Sequence, residues 1–296
     1  MRMSSFLPTG EYFSRSLPEE SWLIDHLVPR GGLVELYGKP KCGKSLLTMT
    51  LVSALTDGYP WFLHPTFKIR DRGNVLFMQM DTPPGLWTEY LKTAKRQFRS
   101  VLWADQLQIP HPPFDIHDPR HRTWLHNQVQ DFQPLLLVVD SLRKLHRGDE
   151  NDSSVMTKVM ALLRQTVGLD VAIVLIAHQK KIGAMDVADL VDSARGSSAV
   201  AGEVDVLIRL SGDRPTKKLF EYTGRTRVVN SSLELWQDQD TGLLMHGVPR
   251  HMRIVQAHLD HPGCTNIRQL IQIVRSLGIE GSDSTIRRDI QELGLF

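Results

Sequence analysis

Residues 38 to 45 read Gly-Lys-Pro-Lys-Cys-Gly-Lys-Ser and match the pattern G-x-x-x-x-G-K-[ST] in full. The apolar run at residues 32–37, directly before them, is typical of a buried strand, and leucines recur at helical spacing after them until Gly58. Strand, loop and helix in this order form the context in which such a loop binds phosphate through its backbone N–H groups. An ordinary glycine-rich turn is the alternative, and this context disfavours it.

Each part of the loop has an expected role toward a bound nucleotide. Its glycines let the backbone turn N–H groups inward around a triphosphate, Lys44 reaches the β and γ oxygens, and the Ser45 hydroxyl ligates Mg²⁺. The expected nucleotide-binding residues are Gly38, Lys39, Pro40, Lys41, Cys42, Gly43, Lys44, Ser45 and Leu46. The sequence therefore predicts a nucleotide-binding protein.

Length and composition limit the class of protein. The chain has 296 residues, of which 41% are hydrophobic, and this suffices for one large core and a small second domain. The formal net charge is +2, so a surface for nucleic acid would have to be a local patch. The only cysteines are Cys42 and Cys264, and no apolar run is long enough for a membrane span. We therefore expect a cytoplasmic protein without a membrane segment or a disulfide.

Strands and helices alternate through the middle of the chain. Four apolar runs predict strands, at residues 74–78, 107–109, 135–139 and 171–177. Apolar positions at helical spacing predict three helices, over residues 86–98, 122–132 and 155–167. Further strands are predicted at residues 204–210, 218–223, 232–237 and 243–246. The sequence thus predicts an α/β fold with a mostly parallel sheet, helices on both of its faces and antiparallel strands at one edge.

The chain is expected to divide into three parts. Residues 1–30 form an N-terminal arm, residues 31–247 the α/β core, and residues 250–296 a small helical domain. Three helices are predicted in that last part, over residues 252–259, 267–277 and 284–293, and their lengths resemble a helix-turn-helix domain. On the last helix Arg287 and Arg288 are candidates for contact with nucleic acid. Because Asp289 and Glu292 lie beside them, a module that docks a replication partner or a ring neighbour is an equal alternative.

Polar residues stand at the ends of three predicted strands. Asp140 follows residues 135–139, where it could hold Mg²⁺ through water together with Ser45. Asp81 ends the preceding strand and could orient or deprotonate the attacking water. His178 follows residues 171–177, where it could contact the γ-phosphate. The alternatives are a helix N-cap for Asp140, a turn residue for Asp81 and a core or surface histidine for His178.

Five segments in chain order resemble the RecA-type ATPase core, and most closely the hexameric replicative helicases of the plasmid RepA type: GKPKCGKS, the strand ending in MDTPP, LLLVVDSLRKLH, LIAHQKK and SARGSSAVAGEVDVLIRL. The resemblance covers residues 22 to 240. It implies a ring in which each ATP lies between neighbouring subunits and nucleic acid passes through the centre. It also implies that Lys44 and Ser45 bind phosphate and metal, that Asp140 holds the Mg²⁺-bound water, and that His178 senses phosphate.

The resemblance also suggests an arginine that reaches the neighbour's ATP. Arg195 is one candidate, and Arg225 with Arg227, which resemble the paired basic fingers of DnaB-type ring helicases, is the other. A solvated charge at a strand end is the alternative for each. The family usually carries a Glu-Asp pair with the glutamate as general base, whereas this chain has Met80 and Asp81. Either Asp81 takes that role or hydrolysis is slow.

In rings of this type the loops after the two central strands contact nucleic acid. Here those loops contain Arg143, Lys144, Arg147, Lys180 and Lys181. Contacts of such side chains with phosphates are electrostatic and independent of base sequence. A solvated basic face is the alternative.

We expect a Mg²⁺-dependent ATPase motor, a ring-forming replicative DNA helicase of a phage, plasmid or mobile element that couples ATP hydrolysis to translocation on single-stranded DNA. A hexameric homo-oligomer is implied. One alternative is a RecA-like recombination or single-strand-annealing ATPase. Another is an ATP-gated DNA-binding regulator that uses the C-terminal helix-turn-helix.

Overall fold

A computed structural model describes residues 9–10, 21–60, 62–110, 112–150, 152–178, 203–212, 217–224, 231–238, 241–246 and 249–296. Five candidate residues lie outside these ranges: Lys180, Lys181, Arg195, Arg225 and Arg227.

The described strands are β1 (Trp22–Ile24), β2 (Val28–Pro29), β3 (Leu33–Gly38), β4 (Val75–Gln79), β5 (Val101–Ala104), β6 (Leu136–Asp140), β7 (Ala172–His178), β8 (Val206–Ser211), β9 (Lys217–Gly224), β10 (Ser231–Gln237) and β11 (Leu244–His246). The helices are α1 (Lys44–Thr56), α2 (Pro84–Thr93), α3 (Pro119–Phe132), α4 (Ser153–Val167), α5 (Pro249–Asp260), α6 (Ile267–Ser276) and α7 (Asp283–Glu292). Among the described residues, no helix is both long and apolar enough to cross a membrane.

Nine of these strands form one sheet, and β1 pairs with β2 separately. The strand order is β11-β10-β9-β8-β3-β7-β6-β4-β5. Neighbours from β8 to β5 run parallel, whereas β8 to β11 pair antiparallel. The prediction of a mostly parallel sheet with antiparallel strands at one edge is confirmed. Because parallel strands end at one edge, the residues that follow β3, β4, β6 and β7 are brought together.

Both faces of the central strands are buried, which explains their continuous apolar sequences. On β6, Val138 belongs to one buried cluster and Val139 to another. The first cluster includes side chains of α1, and the second includes side chains of α3 and α4. Successive residues of a strand point to opposite faces, so helices on both sides are needed to cover such a strand.

The three predicted C-terminal helices are confirmed as α5, α6 and α7. Their apolar side chains belong to the same buried cluster as those of α1. His251 on α5 lies 3.3 Å from the buried carboxylate of Asp289 on α7, and this contact links the first of these helices to the last. The assignment of these helices to a helix-turn-helix domain stays a prediction.

The strand predicted at residues 107–109 is wrong. The edge strand is β5, at Val101–Ala104, and Leu107 is 77% exposed. The side chain of Asp105 accepts a hydrogen bond from the N–H of Leu107, and its carbonyl accepts bonds from Gln108 and Ile109. These local bonds form a turn. Aspartate side chains commonly stabilise turns in this way, at the expense of strand pairing.

Glu35 is an acidic residue buried in the middle of the central strand β3. Its Oε2 atom has no hydrogen-bond partner among the described residues. Burial raises the pKa of this carboxyl to about 8, and the nearby Glu150 adds to the rise. In the folded protein the carboxyl is therefore protonated at neutral pH.

Glu35 should make the fold less stable in alkali. Between its ordinary pKa and the raised one, the folded state binds more protons than the unfolded chain, so the free energy of unfolding falls as pH rises. From pH 6 to pH 9 this loss should be about 3 kcal/mol. Glu35→Gln should remove most of it in urea unfolding at both pH values. The exposed residue Glu280 offers the matched control Glu280→Gln, and an unchanged pH dependence in Glu35→Gln would contradict the assignment.

Candidate functional site

The loop between β3 and α1 depends on two glycines for different reasons. A Cβ on Gly38 would lie 2.2 Å from the carbonyl oxygen of Leu210, so this position allows close approach to the neighbouring strand β8. Gly43 precedes α1 with a φ of 103°, a conformation that side chains rarely adopt. The loop therefore leads directly into the N-terminus of α1, where unpaired backbone N–H groups favour an anion. Lys39, Pro40 and Lys41 lie exposed at its tip.

The side chain of Lys44 is buried and lies across the base of this loop. Its Nζ donates hydrogen bonds to the carbonyl oxygens of Gly38 and Lys39, both at 2.9 Å, and lies 3.4 Å from Nδ1 of His178. Burial lowers the pKa of the ammonium, although nearby acidic groups, among them Asp140 and Asp81, oppose the shift. A partly desolvated ammonium in this position is suited to contact a phosphate oxygen.

Asp140 and Ser45 form the candidate metal site. The Ser45 hydroxyl donates to Oδ2 of Asp140 at 2.6 Å, and Asp140 is only 2% exposed. Burial raises the pKa of Asp140, while the hydrogen bonds from Ser45 and Gln79 oppose the rise. A hydroxyl and a carboxylate oxygen at this distance are hard donors, and a divalent cation would compensate the buried negative charge. The residues present therefore fit Mg²⁺.

Gln79 also lies in the candidate site, although it is not among the residues predicted from the sequence. Its side chain is 0% exposed; Nε2 donates to Oδ2 of Asp140 at 2.8 Å, and Oε1 accepts the N–H groups of Asp81 and Thr82, each at 2.9 Å. One amide thus fixes the metal-site carboxylate and the backbone of the next candidate acid. A polar last residue in the apolar strand VLFMQ was the available signal.

Asp81 and His178 lie together at the open side of the site. Oδ2 of Asp81 is 3.6 Å from Nε2 of His178, and both side chains are partly exposed. His178 also lies next to Lys44, so one imidazole connects the loop lysine with the candidate base. The structure thus brings Lys44, Ser45, Asp81, Asp140 and His178 to the shared edge of β3, β4, β6 and β7.

Met80 does not share this environment. Its side chain is buried in the second apolar cluster, on the opposite side of the chain from Gln79 and Asp81. A glutamate at position 80 would have to bury its carboxylate among apolar groups. Of the two residues at this strand end, Asp81 is therefore the one beside the candidate phosphate site.

Three of the predicted nucleic-acid residues lie in the segment that follows β6. Arg143, Lys144 and Arg147 are all exposed. Arg143 donates to the carbonyl oxygen of Gly148 at 3.2 Å, and Arg147 lies 3.5 Å from Asp115. Within the described part of the chain, Lys144 has no ion-pair partner. This segment begins directly after Asp140, so its cations lie at the same edge of the sheet.

Arg287 and Arg288 are exposed on α7, in the C-terminal helices. Arg288 lies 3.8 Å from Glu292, one turn further along the same helix. In the described ranges, neither arginine has a hydrogen bond or an ion pair to the residues around the phosphate loop. Their predicted contact with nucleic acid stays a separate hypothesis.

Comparisons with known proteins agree with this architecture. The model of a family described as AAA domain matches residues 2–184. No curated protein sequence matches the chain. One similar solved structure is described as the ATPase domain of G40P, with a TM-score of 0.56 and 10% identity over 74% of this chain and 86% of that one. Another is a DnaB-like replicative helicase described with its interactions with primase, with a TM-score of 0.55 and 11% identity over 74% of this chain and 58% of that one.

Proposed function

The chain belongs to the AAA domain family and has a RecA-like fold, and we propose that it is a Mg²⁺-dependent ATPase motor that acts as a ring on single-stranded DNA. The observation that carries the proposal is the meeting of Lys44, Ser45, Asp81, Asp140 and His178 at one edge of the sheet. A phosphate loop, two hard oxygen donors and a second carboxylate are the groups that phosphoryl transfer to water requires.

Some of these residues bind the nucleotide, and others activate the attacking water. Lys44 and the N-terminus of α1 hold the β and γ phosphates. Mg²⁺ held by Ser45 and Asp140 would supply charge neutralisation at the phosphate oxygens. Asp81 orients a water and accepts its proton as the water oxygen bonds to the γ-phosphorus. The bond from that phosphorus to the β–γ bridging oxygen breaks, and ADP leaves.

His178 is suited to report the state of the γ-phosphate. It is the last residue of β7 and lies beside both Lys44 and Asp81. Two and three residues later the chain contains Lys180 and Lys181, candidates for contact with DNA. Loss of the γ-phosphate would therefore act on the segment proposed to hold the strand.

The ring and its finger arginine are further parts of the proposal. The ring would be a hexamer that serves a phage, plasmid or mobile element, and the similarity to a DnaB-like replicative helicase supports a role in replication. The finger would be Arg195, or Arg225 with Arg227. The C-terminal helices would dock a replication partner or a neighbouring subunit, and Arg287 and Arg288 would lie at that surface or at DNA.

The proposal is tested by ATP turnover with and without single-stranded DNA. We expect turnover to stop when Mg²⁺ is chelated and to rise about tenfold with DNA, a coupling of ordinary size between two sites. A forked duplex should lose its displaced strand only when ATP is hydrolysed. An ATP turnover rate that does not change with DNA would contradict the assignment of a DNA motor. Pairing of complementary strands without displacement would indicate an annealing protein, and preference for one duplex sequence would indicate a regulator.

A further inference from the structure

A cavity of about 340 Å³ lies beside the candidate active site, on the other side of Met80. Its apolar walls are Met80, Ile109, Phe114 and two consecutive prolines at positions 112 and 113. The described part of its lining also contains Gln106 and Lys144. The volume falls in the range of about 300 to 1,000 Å³ that small-molecule sites occupy.

The cavity is distinct from the phosphate site. None of the described residues of the phosphate loop lines it. Met80 lies between the cavity and the phosphate site, because its neighbours Gln79 and Asp81 contact residues of the phosphate site. The cavity therefore faces the segment after β6 that contains the three exposed cations.

Contacts with neighbouring groups hold the walls of the cavity in place. The ring of Phe114 stacks on the imidazole of His121, with centroids 5.1 Å apart and planes inclined by 19°. The amide of Gln106 donates to the carbonyl oxygen of Met80 at 2.8 Å, which fixes the rim. A preformed pocket loses less conformational freedom when a flat group enters it than a pocket that must be assembled.

The positive charge at the opening of the cavity indicates which class of ligand would bind there. Lys144 is the only charged residue among the described lining residues, and its ammonium has no ion-pair partner in the described ranges. Arg143 and Arg147 lie exposed in the same segment. We propose that the cavity takes one unstacked base of a single nucleic-acid strand, while Lys144 contacts a phosphate next to that base. This inference rests on the proposed function.

The base and phosphate contacts can be separated with strands of one length, one made of thymidine and one abasic. The full chain is titrated into each labelled strand at fixed salt, with Mg²⁺ and a non-hydrolysable ATP analogue, and anisotropy gives the Kd. Stacking of one base predicts that the wild type binds the thymidine strand about tenfold more tightly. This comparison needs no variant.

A matched pair of substitutions tests whether the preference arises in the cavity. Gln106→Trp places an indole at the rim and should abolish the preference while affinity for the abasic strand stays the same. Gln108→Trp is the control, because Gln108 is also exposed and bonds locally to Asp105 but does not line the cavity. Lys144→Gln should weaken binding of both strands by a similar factor.

The outcomes separate the cavity from the function. Equal affinity of the wild type for both strands would overturn the base pocket, leave single-strand binding in place and assign the cavity to another ligand such as a peptide. A preference that survives Gln106→Trp would also overturn it, and retained abasic binding shows that the variant is folded. Failure of the wild type to bind either strand would overturn the proposed function together with the pocket.

Discussion

Lys44→Ala is expected to reduce ATP turnover about 10³-fold, the usual effect of removing one preorganised contact to charge that develops in the transition state. The Nζ atom lies at the base of the phosphate loop and is already partly desolvated, so its removal takes away a cation that is in position before the nucleotide binds. The substitution should leave the fold intact, because within the described ranges Nζ bonds only to two loop carbonyls and one imidazole.

Steady-state turnover and thermal unfolding should be measured on the same preparation of this variant. The control is Lys158→Ala, at an exposed position of α4. It removes the same charge at a position that is distant from the loop in sequence. We expect that control to turn over ATP at the wild-type rate. Wild-type turnover in Lys44→Ala would remove the loop from the catalytic assignment.

Asp81→Asn should lower kcat by about 10² to 10³ while the Kd for ATP changes little. Activation of the attacking water matters in the transition state and not in the ground-state complex, so its loss appears in kcat. The asparagine has nearly the same shape, and the backbone N–H at position 81 can still donate to Gln79. The substitution removes the negative charge of the side chain and with it the capacity to accept a proton.

The control for this variant is Asp131→Asn, at an exposed position of α3. Single-turnover kinetics separates the chemical step from nucleotide binding. If Asp81→Asn weakens ATP binding and bound ATP is still hydrolysed at the wild-type rate, the carboxylate is structural or acts through the metal. The general base would then have to be sought elsewhere.

Much of the fold was predictable from the sequence because its signals are local. The runs at residues 135–139 and 171–177 are apolar at every position, and a strand of that kind needs cover on both faces. Turn residues between short strands predicted the antiparallel edge. The edge strand β5 was missed because its four residues carry little pattern, whereas the Asp105 turn beside it contains the apolar Leu107 and Ile109.

The sequence alone also placed the loop at residues 38–45 and the residues Asp81, Asp140 and His178 at one edge of the sheet. These positions follow from chain order, since a residue directly after a parallel strand must lie at the carboxyl edge of the sheet. No contact between distant segments is needed to place them there.

Which of these residues touch one another depends on the packing of the whole chain. The order β3-β7-β6-β4 puts β6 between β7 and β4, so Gln79 reaches Asp140 and His178 reaches Lys44 across strands that are far apart in sequence. The same packing places Met80 in the apolar cluster and buries the Glu35 carboxyl. Burial and cross-strand pairing depend on contacts between distant parts of the chain, and local sequence patterns do not encode those contacts.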